Sequence, residues 1–277
     1  MVRLLQIEFI KLWNNRASKI LITSYFVLLT SIALIAAIKF DIGPIKFHLA
    51  EIGIFNFPYI WHFNTFVTAF FKLFLAIVIV SMMANEYSNK TIKQNLIDGL
   101  SKKEFILSKF LTVISFALIS TVFVFVVSLI LGGIYSDYDE FSIIFSDLEF
   151  VMAFFVKLVG FFSFCLFLGI LVKRSAFSLG FLVIWQIIEG ITTGLIRWKL
   201  FNKETTEFVM GFFPLQSMYN LIKEPITRLE AVQTVADQVG EEIVLDYHVQ
   251  WYEILIVLGW TAIFVYLSYA LLKKRDL

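Results

Sequence analysis

The sequence predicts an all-α, polytopic membrane protein with six transmembrane helices and both termini cytoplasmic. Three observations lead there. Of 277 residues, 59% are apolar and only 16% charged, with a mean hydropathy of +0.84, and a soluble core could not hide that much apolar surface. Six apolar runs are long enough to cross about 30 Å of hydrocarbon as helix, the form that bonds every backbone group inside lipid. The basic residues also segregate. The first 19 residues, 85–109, 173–174 and 273–277 hold 14 Lys or Arg, against 7 in the opposite connections, and the positive-inside rule places the richer side in the cytoplasm.

Residues 1–19 mix Leu5, Phe9, Leu12 and Trp13 with Arg3, Lys11, Arg16 and Lys19. This pattern reads either as a short helix lying in the inner interface or as a basic flank that only sets orientation. The first span runs from Ile20 to Ile38. It is expected to stay as an anchor, because its apolar run exceeds the roughly 7 to 15 residues of a signal-peptide core. The second span, Thr65 to Ala84, leads into 85–109, where Ile92 and Leu96 stand at i and i+4 and Gly99 marks a left-handed stop. Ser101 and Glu104 then form a capping box that opens the helix entering the third span, Phe110 to Ile134. A helix, a glycine break and a second capped helix make a rigid docking element; a loop that only fixed orientation would need fewer residues.

The fourth and fifth spans, Phe150 to Val172 and Ser175 to Ile196, are separated by Lys173 and Arg174 alone. Residues 197–253 follow on the outer side. Within them, Phe208 to Ile222 is apolar but broken by Gly211 and Pro214, which makes it re-entrant or interface-lying rather than a seventh span. Thr227 and Glu230 form a second capping box, and Ile226, Leu229, Val232 and Val239 trace an apolar face ending at Gly240, as expected of an amphipathic helix over the outer mouth. The sixth span is Ile254 to Leu272. Tyr59, Trp61, Trp198, Trp251 and Tyr252 fall at the outer interface as an aromatic belt.

Much chemistry is excluded. Net charge is +1, so no nucleic-acid partner is expected. The single cysteine, Cys165, cannot build a disulfide framework. No G-x-x-x-x-G-K-[ST] phosphate loop, H-E-x-x-H zinc motif or G-x-S-x-G elbow is present; catalytic and metal sites are expected to be absent, with the three histidines ordinary loop residues. Three charges remain inside the spans: Lys72, Lys157 and Glu189, each about 10 Å below the outer end of its span at 1.5 Å per residue. The lysines either snorkel or pair with Glu189 as an outer gate. Gly160 and Gly169 in the fourth span, with Gly180, Gly190 and Gly194 in the fifth, permit close helix approach within one subunit or between two.

Three stretches carry a family likeness: Leu5-Gln6-Ile7-Glu8-Phe9-Ile10-Lys11-Leu12; Asn85-Glu86-Tyr87-Ser88-Asn89-Lys90-Thr91 with Gly99-Leu100-Ser101-Lys102-Lys103-Glu104 and Lys109; and Lys273-Lys274-Arg275-Asp276-Leu277. With six spans around them, the chain resembles the membrane-spanning permease of ABC-2 type ABC transporters that lack a fused ATPase. The resemblance implies a transport subunit, an exporter by expectation, that works as a homo- or heterodimer in the bacterial cell (inner) membrane. Separate ABC ATPase subunits would bind the ATP and Mg, and this chain would hold no cofactor. The loop at 85–109 would be the cytoplasmic coupling loop. There Ile92 and Leu96 would fill an apolar groove of the ATPase, Lys90 and Lys93 would meet acids on its rim, and Glu86 would belong to the same site. The competing class is a secondary transporter or ion pathway that uses Lys72, Lys157 and Glu189 as a relay. Cargo is not legible.

Overall fold

A computed structural model of the chain describes residues 2–37, 39–42, 45–48, 53–199, 202–229, 232–234, 238 and 246–275. In order these form α1 (Val2–Asn14), α2 (Arg16–Ala37), β1 (Lys39–Ile42), β2 (Ile45–His48), α3 (Tyr59–Phe70), α4 (Lys72–Ser88), α5 (Thr91–Ile97) and α6 (Lys102–Tyr135). After them come α7 (Phe141–Ile144), α8 (Glu149–Val172), α9 (Ser175–Lys199), α10 (Lys203–Met210), α11 (Pro214–Asn220) and α12 (Trp251–Lys274). Five of these helices, α2, α6, α8, α9 and α12, are long and apolar enough to cross a membrane singly, and α3 with α4 qualifies as a bent pair.

A helix that is apolar all round needs neighbours all round. The axis of the bundle is therefore α8, which is buried almost continuously from Phe150 to Ile170 and packs against α3, α4, α6, α9 and α12. Two of its glycines let neighbours in. A Cβ on Gly160 would stand 2.7 Å from Val257 Cγ1 of α12, and one on Gly169 would stand 3.0 Å from Met83 Cβ of α4. By contrast Gly180, Gly190 and Gly194 of α9 have open space where a Cβ would lie, on a helix that also exposes Phe181, Ile184, Ile188 and Ile191. The glycines of the fourth and fifth spans thus do different jobs: the first pair closes this subunit, and the second set faces outward.

The structure refines the sequence reading at three places. The stretch from Thr65 to Ala84 is not one straight helix: α3 starts at Tyr59 and meets α4 at a bend of 45° at Phe71. The bend serves two separate packings: Trp61 of α3 stacks on Phe125 of α6, with ring centroids 5.1 Å apart, while α4 lies along α8. The fold is all-helical as expected, with one small addition: 39–42 and 45–48 pair as antiparallel β1 and β2, with Lys39 opposite His48 and Ile42 opposite Ile45. The alternation Phe40, Ile42, Ile45, Phe47 has the period of two that strands use. Finally, in the stretch where an external helix is expected from Thr227, Ile226–Arg228 is a 3-10 turn, Leu229 is extended and 232–234 are helical. The Thr227 hydroxyl bonds Glu224 and Tyr247 instead of capping a helix; Glu230, Val239 and Gly240 lie outside the described residues.

Candidate functional site

At the basic end of the bundle a charged cluster is built around one fully buried lysine. Lys109 of α6 is fully buried, and its Nζ lies 2.5 Å from Glu8 Oε2 of α1 and 2.6 Å from Glu86 Oε1 of α4. Lys11 reaches the same carboxylates from the rim, at 3.0 Å to Glu86 and 3.6 Å to Glu8. The Thr91 hydroxyl at the start of α5 donates to the other Glu86 oxygen. Two carboxylates and two ammoniums balance, which is the condition for keeping charges out of water. Burial alone would lower the Lys11 ammonium, but Glu8 and Glu86 outweigh it and hold the group above its ordinary value. An open cavity of about 450 Å³ reaches the cluster, lined by Glu8, Lys11 and Glu86 themselves and by Asn14, Asn15, Asn85 and Asn89. Glu8, Lys11, Glu86 and Lys109, spread over a hundred residues, thus tie α1, α4 and α6 into one knot, and Thr91 attaches α5 to it.

Both ends of α5 are set by local chemistry. Lys90 before it is left-handed, at φ 55°. After it Gly99 takes φ 97°, with Leu100 N–H donating to Asn95 O (3.0 Å) and Gly99 N–H to Leu96 O (3.2 Å), the paired bonds of a Schellman stop. Ser101 and Glu104 then exchange side-chain and backbone bonds in a complete capping box. The orientation of α5 departs from the sequence reading. Ile92 is 2% exposed and Leu96 is half-buried against the bundle core, and Glu86 lies inside the ion cluster. These three hold α5 in place and offer nothing to an outside groove. Lys90, Lys93, Gln94 and Asp98 point outward, with Ile97 as an apolar knob 69% exposed. The inward stripe was a helical periodicity, and periodicity alone cannot say which of two partners a stripe faces.

The three charges inside the spans do not assemble into the expected gate. Among the described residues Glu189 pairs with neither Lys72 nor Lys157. Its carboxylate accepts from Trp185 Nε1 (2.7 Å), Leu215 N (3.1 Å) and Gln216 N (2.9 Å). It caps the start of α11, where backbone N–H groups are free and negative charge is favoured. Lys72 Nζ sits 4.5 Å from the Phe161 ring centroid, and the buried Lys157 points at Tyr219 of α11, 3.5 Å from its carbonyl. Two of the three hold one element: Glu189 and Lys157 both bond α11, which packs into α8, α9 and α12.

A second knot closes the opposite end of the bundle, where no sequence pattern marks it. Arg228 donates to Asp147 (2.8 Å) and approaches His62 Nδ1 (3.3 Å), between the rings of Tyr59, Phe150 and Tyr247. His62 is not a loop residue: it is fully buried in α3 and stacked on Phe150 at 3.9 Å. Its Nε2 lies 2.9 Å from Lys223 O, which can only accept. The proton is therefore on Nε2, and Nδ1 is free to accept from Arg228. These contacts fasten the 223–228 segment to the bundle.

An apolar helical bundle in which five helices, with a bent pair as a sixth, are long and apolar enough to cross a bilayer defines a multi-pass membrane protein. The family can be stated as well. A family model described as "ABC-2 family transporter protein" matches residues 7–277, so the chain belongs to that family and is an ABC-2 type permease, the membrane subunit of an ABC transporter. No curated protein matches it.

Proposed function

We propose that this permease is driven through the outward face of α5, which docks on a separate ABC ATPase subunit. The observation that carries the reading is the division of α5 into two faces: Ile92, Leu96 and the Thr91–Glu86 bond fix it to the bundle, while Lys90, Lys93 and Ile97 stand free. A short helix with an exposed apolar knob among lysines fits a groove with an acidic rim. Force applied to α5 would pass through Glu86 and Lys109 to α4, α6 and α1 without bending a loop. ATP and Mg would bind on the ATPase and not here.

In this reading the bent pair counts as one span, giving six, with the termini and the basic end in the cytoplasm of a bacterial cell whose inner membrane holds the chain. On α1, Ile7, Ile10 and Trp13 face outward while Glu8 and Leu12 face inward, which suits a helix lying on the inner interface. Two permease subunits, identical or not, would meet along α9, where Gly180, Gly190 and Gly194 allow close approach. Cargo would be exported by switching between two arrangements of the paired bundles, with α11 and the Arg228 knot closing the outer side.

The test is ATP hydrolysis in the reconstituted complex. Ile97→Asp is expected to abolish stimulation of the ATPase while the permease still inserts and purifies. Full stimulation in that variant would remove α5 as the coupling element.

A further inference from the structure

The start of α6 and the end of α12 do not close on each other. An open groove of about 610 Å³ runs between them, lined by Ile106, Phe110, Leu258, Val265, Tyr266 and Tyr269, with Lys103 at one end. From Leu258 to Tyr269 it extends about 16 Å at 1.5 Å per residue, half the hydrocarbon thickness. Tyr266, Tyr269 and Lys273 follow one another at i, i+3 and i+7, so Lys273 continues the stripe that lines the groove.

The mouth is strongly basic. Lys102 is used internally, donating to Lys273 O (3.3 Å) and Arg275 O (2.9 Å), and these bonds bring the two helix ends together. Arg275 is used as well, on Tyr87, Ile170 and Leu171. Lys103, Lys273 and Lys274 are exposed, and among the described residues none of them meets a carboxylate. The nearby Glu104 is turned back onto Ser101 by the capping box.

From this geometry we infer that the groove holds one acidic phospholipid, an acyl chain lying along α12 and the phosphate held by Lys103, Lys273 and Lys274. The apolar length matches a chain within one leaflet, and three exposed ammoniums at head-group level match its charge. A second copy of this chain is a poor occupant, because a two-fold contact would bring the same lysines toward their own images. The lipid would brace α6 just after the capping box that follows α5, joining it to α12. The inference needs only that the groove lie in lipid and does not depend on the ATPase reading.

The experiment is native mass spectrometry of the full-length chain, released from detergent after exposure to dioleoyl phosphatidylglycerol or dioleoyl phosphatidylcholine. The acidic lipid is expected to be retained roughly ten-fold more or better, since each lysine at an anionic surface is worth on the order of a five-fold factor. Lys103→Gln, Lys273→Gln and Lys274→Gln together are expected to erase the preference while leaving the fold intact by circular dichroism. Ala262→Trp, which fills the groove, is expected to lower retention of both lipids. Equal retention of the two lipids, or an unchanged preference in the triple variant, would overturn the assignment. So would a photo-crosslinker at position 266 that captures a second permease chain instead of lipid.

Discussion

Replacing Lys109 by Met keeps the length of the side chain and removes its charge. In the structure that leaves Glu8, 4% exposed, with only Lys11 at 3.6 Å, while Glu86 keeps Lys11 at 3.0 Å and the Thr91 hydroxyl. Breaking one side of a buried ion pair costs about 3–5 kcal/mol, mainly because the surviving charge is stranded. The cost falls on the joint of α1, α4 and α6 to which α5 is attached, so it is expected as local opening rather than loss of the whole bundle. At about 1.4 kcal/mol per factor of ten, hydrogen exchange of the amides between 86 and 100 is expected to accelerate by roughly two to four orders of magnitude in reconstituted protein. Adding Glu8→Gln and Glu86→Gln to Lys109→Met removes the stranded charges and is expected to restore most of the protection, because an uncharged, well-filled site is often as stable as an ion pair. Wild-type exchange in the single variant, or a triple variant that opens as readily as the single, would refute the account of the cluster as the joint that holds α5.

Other outcomes follow from the same contacts. Glu189→Gln is expected to weaken the capping of α11 by about 1–3 kcal/mol, the worth of charge-assisted bonds, and to be seen as faster proteolysis or exchange at 211–220 with little change at α5. Arg228→Ala leaves Asp147 and His62 without their shared donor, and cysteine labelling of the 223–228 segment is expected to quicken; equal labelling would remove the outer knot. Ile92→Asp is expected to destabilise the bundle itself, in contrast to Ile97→Asp, which thermal unfolding of the purified permease can distinguish. Donation of a hydrogen bond from the protonated His248 Nδ1 to the Glu149 carboxylate, 2.9 Å away, raises the histidine above its ordinary value near 6.5. The stabilisation from that pair is therefore complete below about 6.5 and lost as pH rises through the elevated value, and Glu149→Gln is expected to return the histidine titration to its ordinary range.

The helical spans were legible because each depends on a local property, an uninterrupted apolar run, that lipid requires. The stops around α5 were legible for the same reason: Gly99 and the Ser101–Glu104 box act within a few residues. What the sequence could not give was direction. Ile92 and Leu96 are spaced for one face whether that face meets an ATPase or the permease's own core beside α4, and only the fold decides. The same holds for Glu189. Its depth is set by its position in α9, but its partners are backbone amides 26 and 27 residues away, made available by a helix start that carries no charge to mark it. The ion cluster lay half in view. Glu8, Lys11, Glu86 and Lys109 all fall in the stretches that carry the family likeness, yet no spacing rule joins residues so far apart. The bend at Phe71 has no proline or glycine to announce it, since it arises from two packings that pull on one helix.

The central claim is that an ATPase grips this permease at the outward face of α5. Its most direct test is a site-specific disulfide cross-link from Ile97→Cys to the ATPase subunit co-expressed with this chain, read in the purified complex with Ile92→Cys as control. The account predicts an ATPase adduct from position 97 and none from position 92, together with loss of stimulated hydrolysis once the adduct forms. Labelling from the buried position alone, or a permease that transports with no ATPase attached, would contradict it.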